Sequence, residues 1–439
     1  MSFASLYAEI LYGSINSSFK ISDNFGVLIF LFILILYTRS TGIFFIPYLF
    51  CTIVSKVSVM DELLNLINLE ADKYYQEEIN TLLELCSIDC GSKDIEGISK
   101  VVDIIVSKVK DSTVKTERIM TENGENLFVR FNEGKGNKVI LNAHMDTVFK
   151  KGDVLKYPAY EKDEFIYGLG SSDCKGGVVI SLYSMIIAYK NNLLQDREYD
   201  LIYGCDEEIG SKCSKDIYKK ESKDAKYALV FEPSRGNNGI ITSRRSCANA
   251  IIEVYGKSAH SSVYTQGVSA VVGLSNIMQK MNMLHDPSRD IYVNMGEISN
   301  SGPVNQVSDY ARMEVSCRVD TKEQGEEYFK KYTDACDPEL EGCTAKTNCF
   351  PLEAPMERTD KNLHLFNIAV EAGKLLNMDL PEINAYGSGD SAKFSEYGLG
   401  TIDGLGSYTL GMHVNDEHTL KESLKERTKL TLLILQLLD

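Results

Sequence analysis

Along this chain short, dense apolar runs alternate with longer stretches in which apolar residues recur every three or four positions. Residues 138–143 (KVILNA), 199–203 (YDLIY) and 227–231 (YALVF) have the length and density of buried strands. Residues 177–189 (GVVISLYSMIIAY) instead place Val178, Leu182, Met185 and Tyr189 on one face of a helix, and residues 60–85 show the same spacing over a helix or a helix pair. Strands and helices in alternation predict an α/β sheet with helices on both faces. From about Ser246 the period shortens: 248–255 (ANAIIEVY), 292–298 (YVNMGEI) and 310–319 (YARMEVSCRV) alternate as strands do, with helical patterns over 269–283 and 323–335. This order predicts a small α+β sandwich inserted into the larger domain, whose texture resumes after Leu352 with a helix over 363–376. The predicted organisation is an α/β domain from 60–245 and 353–439, interrupted by an α+β domain at 246–352.

The first 59 residues are different. Residues 25–37 (FGVLIFLFILILY) and 42–54 (GIFFIPYLFCTIV) are two apolar runs of 13, parted by a short polar break that contains Arg39. At about 1.5 Å per residue each would reach roughly 20 Å as a helix, short of the ~30 Å hydrocarbon core. Joined, they are long enough, with Arg39 in the middle. Three readings stand: a membrane anchor or hairpin, a translated region upstream of a true start at Met60, and a signal peptide. The last is weakened because no small-x-small cleavage site follows the run. Any membrane contact is confined to residues 25–54, and the domains after them are expected in the cytoplasm.

Composition narrows the functional classes. A chain of 439 residues exceeds the usual single core, in agreement with two domains. The net charge is −16, and residues 1–59 contribute only Lys20, Arg39 and Lys56 against Glu9 and Asp23, so the acidic excess belongs wholly to the remainder. That excess excludes the basic face of a nucleic-acid binder. With 44% apolar and 25% charged residues the chain is neither disordered nor collagen-like. Eleven cysteines without a CxxC pair predict reduced thiols rather than a disulfide scaffold.

Candidate chemistry enters where the predicted strands end. KVILNA runs into His144, with Asp146 two residues later; LIYGC runs into Asp206, Glu207 and Glu208; YALVF runs into Glu232. In an open α/β sheet the crevice at the carboxyl ends of the strands is the expected ligand site, so these groups should converge. The i, i+2 spacing lets Asp146 reach behind His144, where a carboxylate accepting the imidazole N–H fixes the tautomer of a metal-binding His. His-x-Asp alone, or an acidic triplet alone, is more often structural; three strands ending in such groups reverse that. Asp173, in the Gly-rich stretch 167–177 (YGLGSSDCKGG), makes a poor phosphate loop, because Asp173 stands at the third glycine position and Gly176 follows Lys175. Glycines there serve better to let a carboxylate approach a metal closely.

With these residues assembled, the chain resembles the zinc aminoacylase and carboxypeptidase family that includes glutamate carboxypeptidase, succinyl-diaminopimelate desuccinylase and acetylornithine deacetylase. The resemblance covers residues 60–439 and rests on seven motifs in order: HMDTV at His144, GLGSSDCKGG around Asp173, CDEEIGS around Glu207, FEP at Glu232, GKSAH ending at His260, GSGDS at 387–391 and GMHVNDE at 411–417. It implies a zinc-exopeptidase-like α/β domain with a central mixed sheet, plus an inserted lid and dimerisation domain. It implies two zinc ions bridged by Asp173, one taking His144 and Glu232 and the other Glu208 and His413, with cobalt or manganese as substitutes. Glu207 would be the general base and Asp146 the partner of His144. A cis peptide is expected between Asp173 and Cys174. His413 is preferred to His418 because it lies four residues before Glu417; His285 and His364 match nothing. From the lid, His260, Asn305 and Arg318 would contact substrate, His260 in the partner subunit's site of a homodimer, and Arg318 as a carboxylate clamp.

The implied activity is hydrolysis of a small peptide of carboxypeptidase or dipeptidase type, or alternatively of an N-acyl amino acid. A membrane-tethered binding protein that has kept the fold without catalysis is the reading from another class. Nucleophilic catalysis by Cys174 or Cys205 is a further one, but no neighbouring His base is evident in sequence. Ser261 after His260, and Cys174 and Cys205 beside the metal residues, depart from the family pattern, and the apolar extension lies outside it.

Overall fold

The structure, a computed structural model, describes residues 45–109, 113–234 and 238–439, with side chains from Val59 onward. The chain divides into two compact units, Met1–Leu66 and Ile67–Asp439. The described part of the first is the start of one continuous helix, Phe45–Cys86, where the spacing of 60–85 had allowed a pair. The apolar run 25–37 lies outside the described residues, as does the beginning of 42–54. Among the described residues no helix is long and apolar enough to cross a membrane.

The second unit is built on a six-stranded sheet ordered Lys115–Met120, Glu125–Phe131, Glu198–Gly204, Lys138–His144, Ala225–Val230, Gly400–Ile402. Neighbours among the first three strands pair antiparallel, and the last four are mutually parallel. Strands Lys138–His144 and Glu198–Gly204 are buried along nearly their whole length, as parallel strands covered on both faces must be. On one face Phe128, Ile140, Ile202 and Ala228 pack with Tyr218 and Phe394 from the helices Ser214–Glu221 and Asp390–Glu396. On the other, Tyr203 reaches the helix Lys175–Lys190, donating to Val178 O at 3.2 Å and meeting Ser181 Oγ at 3.0 Å. That helix has no solvent face: residues 175–188 are all buried, beyond the single stripe its spacing suggested. It is covered by the sheet on one side and by the helix Lys421–Leu437 on another.

The antiparallel pair at the sheet edge was not evident from apolar density. Its one local signal is Asn123-Gly124, a hairpin-type dipeptide, with Gly124 at φ 142° and Thr121 N bonded to Gly124 O at 2.8 Å.

Between Ser246 and Cys349 the chain forms an antiparallel four-stranded sheet ordered Asn294–Asn300, Tyr310–Val319, Ser246–Tyr255, Thr344–Cys349. Ala248, Ala250, Ile252 and Val254 face inward together with Ala311, Met313, Val315 and Cys317, and pack under the helices Ala270–Asn282 and Lys322–Ala335. The period of two leaves Cys247, Asn249, Ser316 and Arg318 on the opposite, uncovered face. The fourth strand, TAKTNC, is an edge strand too polar to announce itself. The ten described cysteines carry free thiols.

Candidate metal centre

The three parallel strands whose ends carried the candidate residues are immediate neighbours, so their carboxyl ends form one rim. His144 closes its own strand. Glu207 and Glu208 occupy a short 3-10 turn, Glu207–Ile209, just past Gly204, and Glu232 follows Val230 by two residues. Asp173 precedes the helix Lys175–Lys190, and the Asp173–Cys174 peptide is cis. His413 comes from the loop before the last strand and sits at φ 60°, the left-handed region that non-glycine residues seldom adopt.

These side chains converge. His144 Nε2 lies 3.2 Å from Asp173 Oδ1 and 3.5 Å from Glu232 Oε1. His413 Nε2 lies 3.2 Å from the other oxygen of Asp173 and 3.3 Å from Glu208 Oε2. Asp173 thus stands between two imidazoles, one per carboxylate oxygen, with one glutamate beside each.

Behind His144, Nδ1 is 3.0 Å from the backbone oxygen of Asp146 and 3.4 Å from its carboxylate. The Asp146 carboxylate accepts from Glu207 N at 3.1 Å, Glu208 N at 3.3 Å and Ser92 Oγ at 2.6 Å. It therefore ties the histidine to the turn carrying both glutamates.

A second buried carboxylate, Glu417, does the same for Asp173. It accepts from the N–H groups of Gly170, Ser172 and Asp173, each at 2.9 Å, and from Ser172 Oγ at 2.8 Å. By sequence Glu417 is only the end of a motif, and Ser92 carries no signal at all; both act through long-range contacts that no local pattern encodes.

The electrostatics show how crowded the rim is. Burial, helped by Asp173, pushes the Glu232 carboxyl well above its usual range. Burial raises Glu208 to about 7 and Glu207 to about 8, with His144 opposing both. Burial would raise Asp173 too, but hydrogen bonds from His144 and His413 hold it far below the usual carboxylate range. The His413 imidazolium is raised to about 9, chiefly by Asp173. Two imidazoles do not neutralise this many acids.

The donor set fits divalent cations. Ligand atoms of His144, Asp173 and Glu208 lie within 4.8 Å of one another, as do those of His144, Cys174 and Glu232. Glu208 Oε1 is buried without a hydrogen-bond partner, and nitrogen with carboxylate oxygen suits zinc and its neighbours in the first transition series.

The other sequence candidates, Cys174 excepted, lie apart from this rim. His418 stacks on Tyr167 at 4.5 Å and bonds Asp416 O at 2.7 Å. His285 accepts from Val293 N at 3.0 Å, and His364 is exposed near Asp439. The Cys174 thiol, for which no His base was evident, lies near His144 but donates to Phe231 O at 3.0 Å. Cys205 faces Thr121 and Asn126.

His260, Asn305 and Arg318 are exposed. His260 lies in a two-stranded ribbon with Gln306, and Ser261 N bonds Asn305 O at 2.9 Å, so those two are neighbours. None of the three hydrogen-bonds to or ion-pairs with the rim within one chain. Arg318 is paired in register with Cys247 on the uncovered face of its sheet. Cys247 and Asn249 line a cleft of about 870 Å³ whose other wall includes Lys393 and Gly210, the latter three residues from Glu207 along the chain.

The motif GSGDS finds its explanation here. Ser211 Oγ donates to Asp390, which Lys393 also contacts at 3.1 Å, and Arg244 binds Asp403 at 2.7 Å and Ser391 Oγ at 3.1 Å. The loop is thereby clamped against the turn that carries Glu207.

The sequence profile described as peptidase family M20/M25/M40 matches residues 140–437. Carboxypeptidase G2 of Pseudomonas sp. (strain RS-16) is 28% identical over 250 residues, 54% of this chain and 60% of that protein. Succinyl-diaminopimelate desuccinylase of a Nitratiruptor species is 26% identical over 327 residues, 69% of this chain and 85% of that protein. Among solved structures, aminopeptidase PepT from Bacillus cereus superposes with a TM-score of 0.71 at 20% identity, over 83% of this chain and 98% of that one. The match thus spans under two thirds of the carboxypeptidase and most of the desuccinylase.

Proposed function

Because the chain belongs to the peptidase family M20/M25/M40, a family of metal-dependent hydrolases, we propose that it hydrolyses an amide bond in a small peptide, as a carboxypeptidase or dipeptidase. The observation that carries this reading is Asp173, set between His144 and His413 with Glu232 and Glu208 alongside. On this reading His144 and Glu232 would hold one zinc ion, Glu208 and His413 would hold a second, and Asp173 would be shared between them. Bound there, zinc supplies Lewis acidity toward an amide carbonyl and toward water.

The chain's own residues do the rest. Glu207 takes a proton from the attacking water and returns it to the leaving nitrogen, a task suited to a carboxyl whose proton affinity burial has raised. Asp146 holds His144 in one tautomer and fixes the Glu207 turn. Residues 246–352 act as a lid and dimerisation domain. Exposed Tyr264, Val271 and Val304, grouped around one surface depression, support a subunit contact there. Through that contact His260 reaches the partner's site to stabilise the developing oxyanion. Arg318, paired in register with Cys247 of the 870 Å³ cleft wall, clamps a substrate carboxylate, and Asn305, beside Ser261, meets substrate together with His260.

A second reading, removal of an acyl group from an N-acyl amino acid, is favoured by the long match to a desuccinylase. Purified protein loaded with zinc or cobalt, assayed on a dipeptide panel and on N-acyl amino acids, separates the two. Absence of hydrolysis in both panels, with metal bound, would sink both.

A further inference from the structure

Resting on the reading of the rim as a cation site, we infer that Cys174 is a donor to the ion held by His144 and Glu232. That half of the centre is then built from nitrogen, oxygen and sulfur rather than nitrogen and oxygen alone.

The geometry is specific to this cysteine. Ligand atoms of His144, Cys174 and Glu232 lie within 4.8 Å of one another, the same span that gathers His144, Asp173 and Glu208. All three side chains are buried, so no solvent competes for the sulfur. Cys174 Sγ is 3.0 Å from the carbonyl of Phe231, the residue immediately before Glu232, which ties the sulfur to the same strand end.

Gly177 closes the space on the helix side. A Cβ there would stand 3.0 Å from Cys174 Sγ and 2.0 Å from Phe231 O. Cys174 Sγ thus sits against Gly177 and the Phe231 carbonyl, within reach of the His144 and Glu232 donors. Cys205 is equally close in sequence to a candidate residue but is occupied by Thr121 and Asn126, at 3.7 and 3.4 Å, and joins no donor group.

Coordination would release the thiol proton to solvent and exchange the S–H···O contact for a metal–sulfur bond, with no change of oxidation state. A thiolate in the set biases the centre toward zinc, cobalt or cadmium and away from manganese.

The test uses the full-length protein loaded with zinc. X-ray absorption at the zinc edge should show a sulfur scatterer at about 2.3 Å beside the shorter nitrogen and oxygen shell. In the cobalt(II) form, a sulfur-to-cobalt charge-transfer band should appear in the near ultraviolet together with visible d–d bands. Cys174→Ser should lose the former and keep the latter, and Cys205→Ser should keep both.

A zinc-loaded wild-type protein without a sulfur shell, or a near-ultraviolet band that survives Cys174→Ser, overturns the inference. If Cys174→Ser does not fold, the wild-type zinc spectrum decides alone. Hydrolysis assayed on the same cobalt samples separates the two claims. Turnover without a sulfur signal discards only the role of Cys174, whereas failure to bind either metal discards the cation site and this inference with it.

Discussion

The rim of the six-stranded sheet and the inserted domain both carry residues expected to meet substrate, and they are built in opposite ways. On the rim the candidates are largely held by other parts of the same chain: Asp146 ties His144 to the Glu207 turn, Glu417 grips the Asp173 loop by three N–H groups, and Ser211 and Asp390 join two distant motifs. In the inserted domain His260, Asn305 and Arg318 are exposed, and none hydrogen-bonds to or ion-pairs with the rim. A centre that must bind metal before substrate arrives has to be preorganised. Residues that meet only substrate, or a second subunit, can wait in solvent.

The strongest way to break this contrast is at the rim. Glu207→Gln should lower kcat by roughly 10²–10⁴-fold while leaving bound metal near the wild-type amount. Steady-state kinetics paired with metal analysis read this directly. Near-full activity would remove Glu207 as the base, and loss of metal would make it a ligand instead.

Legibility in sequence followed the same divide. The strands Lys138–His144, Glu198–Gly204 and Ala225–Val230 are dense and apolar because both faces are covered, and their ends delivered His144, Glu207, Glu208 and Glu232 without any knowledge of pairing. Asp173 stood out as a carboxylate in a Gly-rich stretch before a helix, whereas His413, in a loop, needed the family resemblance. What stayed hidden were polar edge strands, such as Thr344–Cys349, and long-range supports. Ser92 with Asp146 and Arg244 with Asp403 are each separated by more than fifty residues, and nothing local marks either pair.

On the lid, His260→Ala should cost roughly 10²–10³ in kcat if the residue stabilises an oxyanion, with metal content unchanged. The sharper experiment mixes this variant with Glu207→Gln. If His260 works in the partner's site, each mixed dimer regains one intact site, and random exchange restores roughly a quarter of wild-type activity. Two dead parents giving a dead mixture would place His260 with its own subunit's rim and dissolve the contrast.

Arg318→Ala should act more gently, through binding. Losing a charge-assisted carboxylate contact costs about 1.5–3 kcal/mol, which should show as a higher KM with kcat nearly kept. Substrates whose terminal carboxylate is amidated should lose the wild-type advantage in the same proportion. A fall in kcat alone would instead make Arg318 part of the catalytic geometry.

The difference between the two regions also has a pH signature. In the α/β unit Glu78 is fully buried, and burial raises its carboxyl to about 8, with only Thr428 Oγ1 donating to it, at 2.7 Å. In the inserted domain Glu327 is lowered to about 2 by hydrogen bonds from Arg289 and Lys331 on a partly exposed surface. The signs are opposite. A raised carboxyl binds more protons in the folded state than in the unfolded one, so its stability is full below about pH 4.5 and is lost as pH rises toward 8. A lowered carboxyl gives stability that is present above its unfolded value and is lost as pH falls toward 2. Glu78→Gln should therefore abolish a decline of roughly 2 kcal/mol between pH 5 and 7, seen as a flatter dependence of the unfolding midpoint on pH. Glu327→Gln should leave that range untouched and weaken the protein only slightly near neutral pH, by less than about 1 kcal/mol and less still in high salt, as exposed ion pairs do. Should the two variants show the same pH dependence, the buried and exposed regions would not differ in the way their geometry requires.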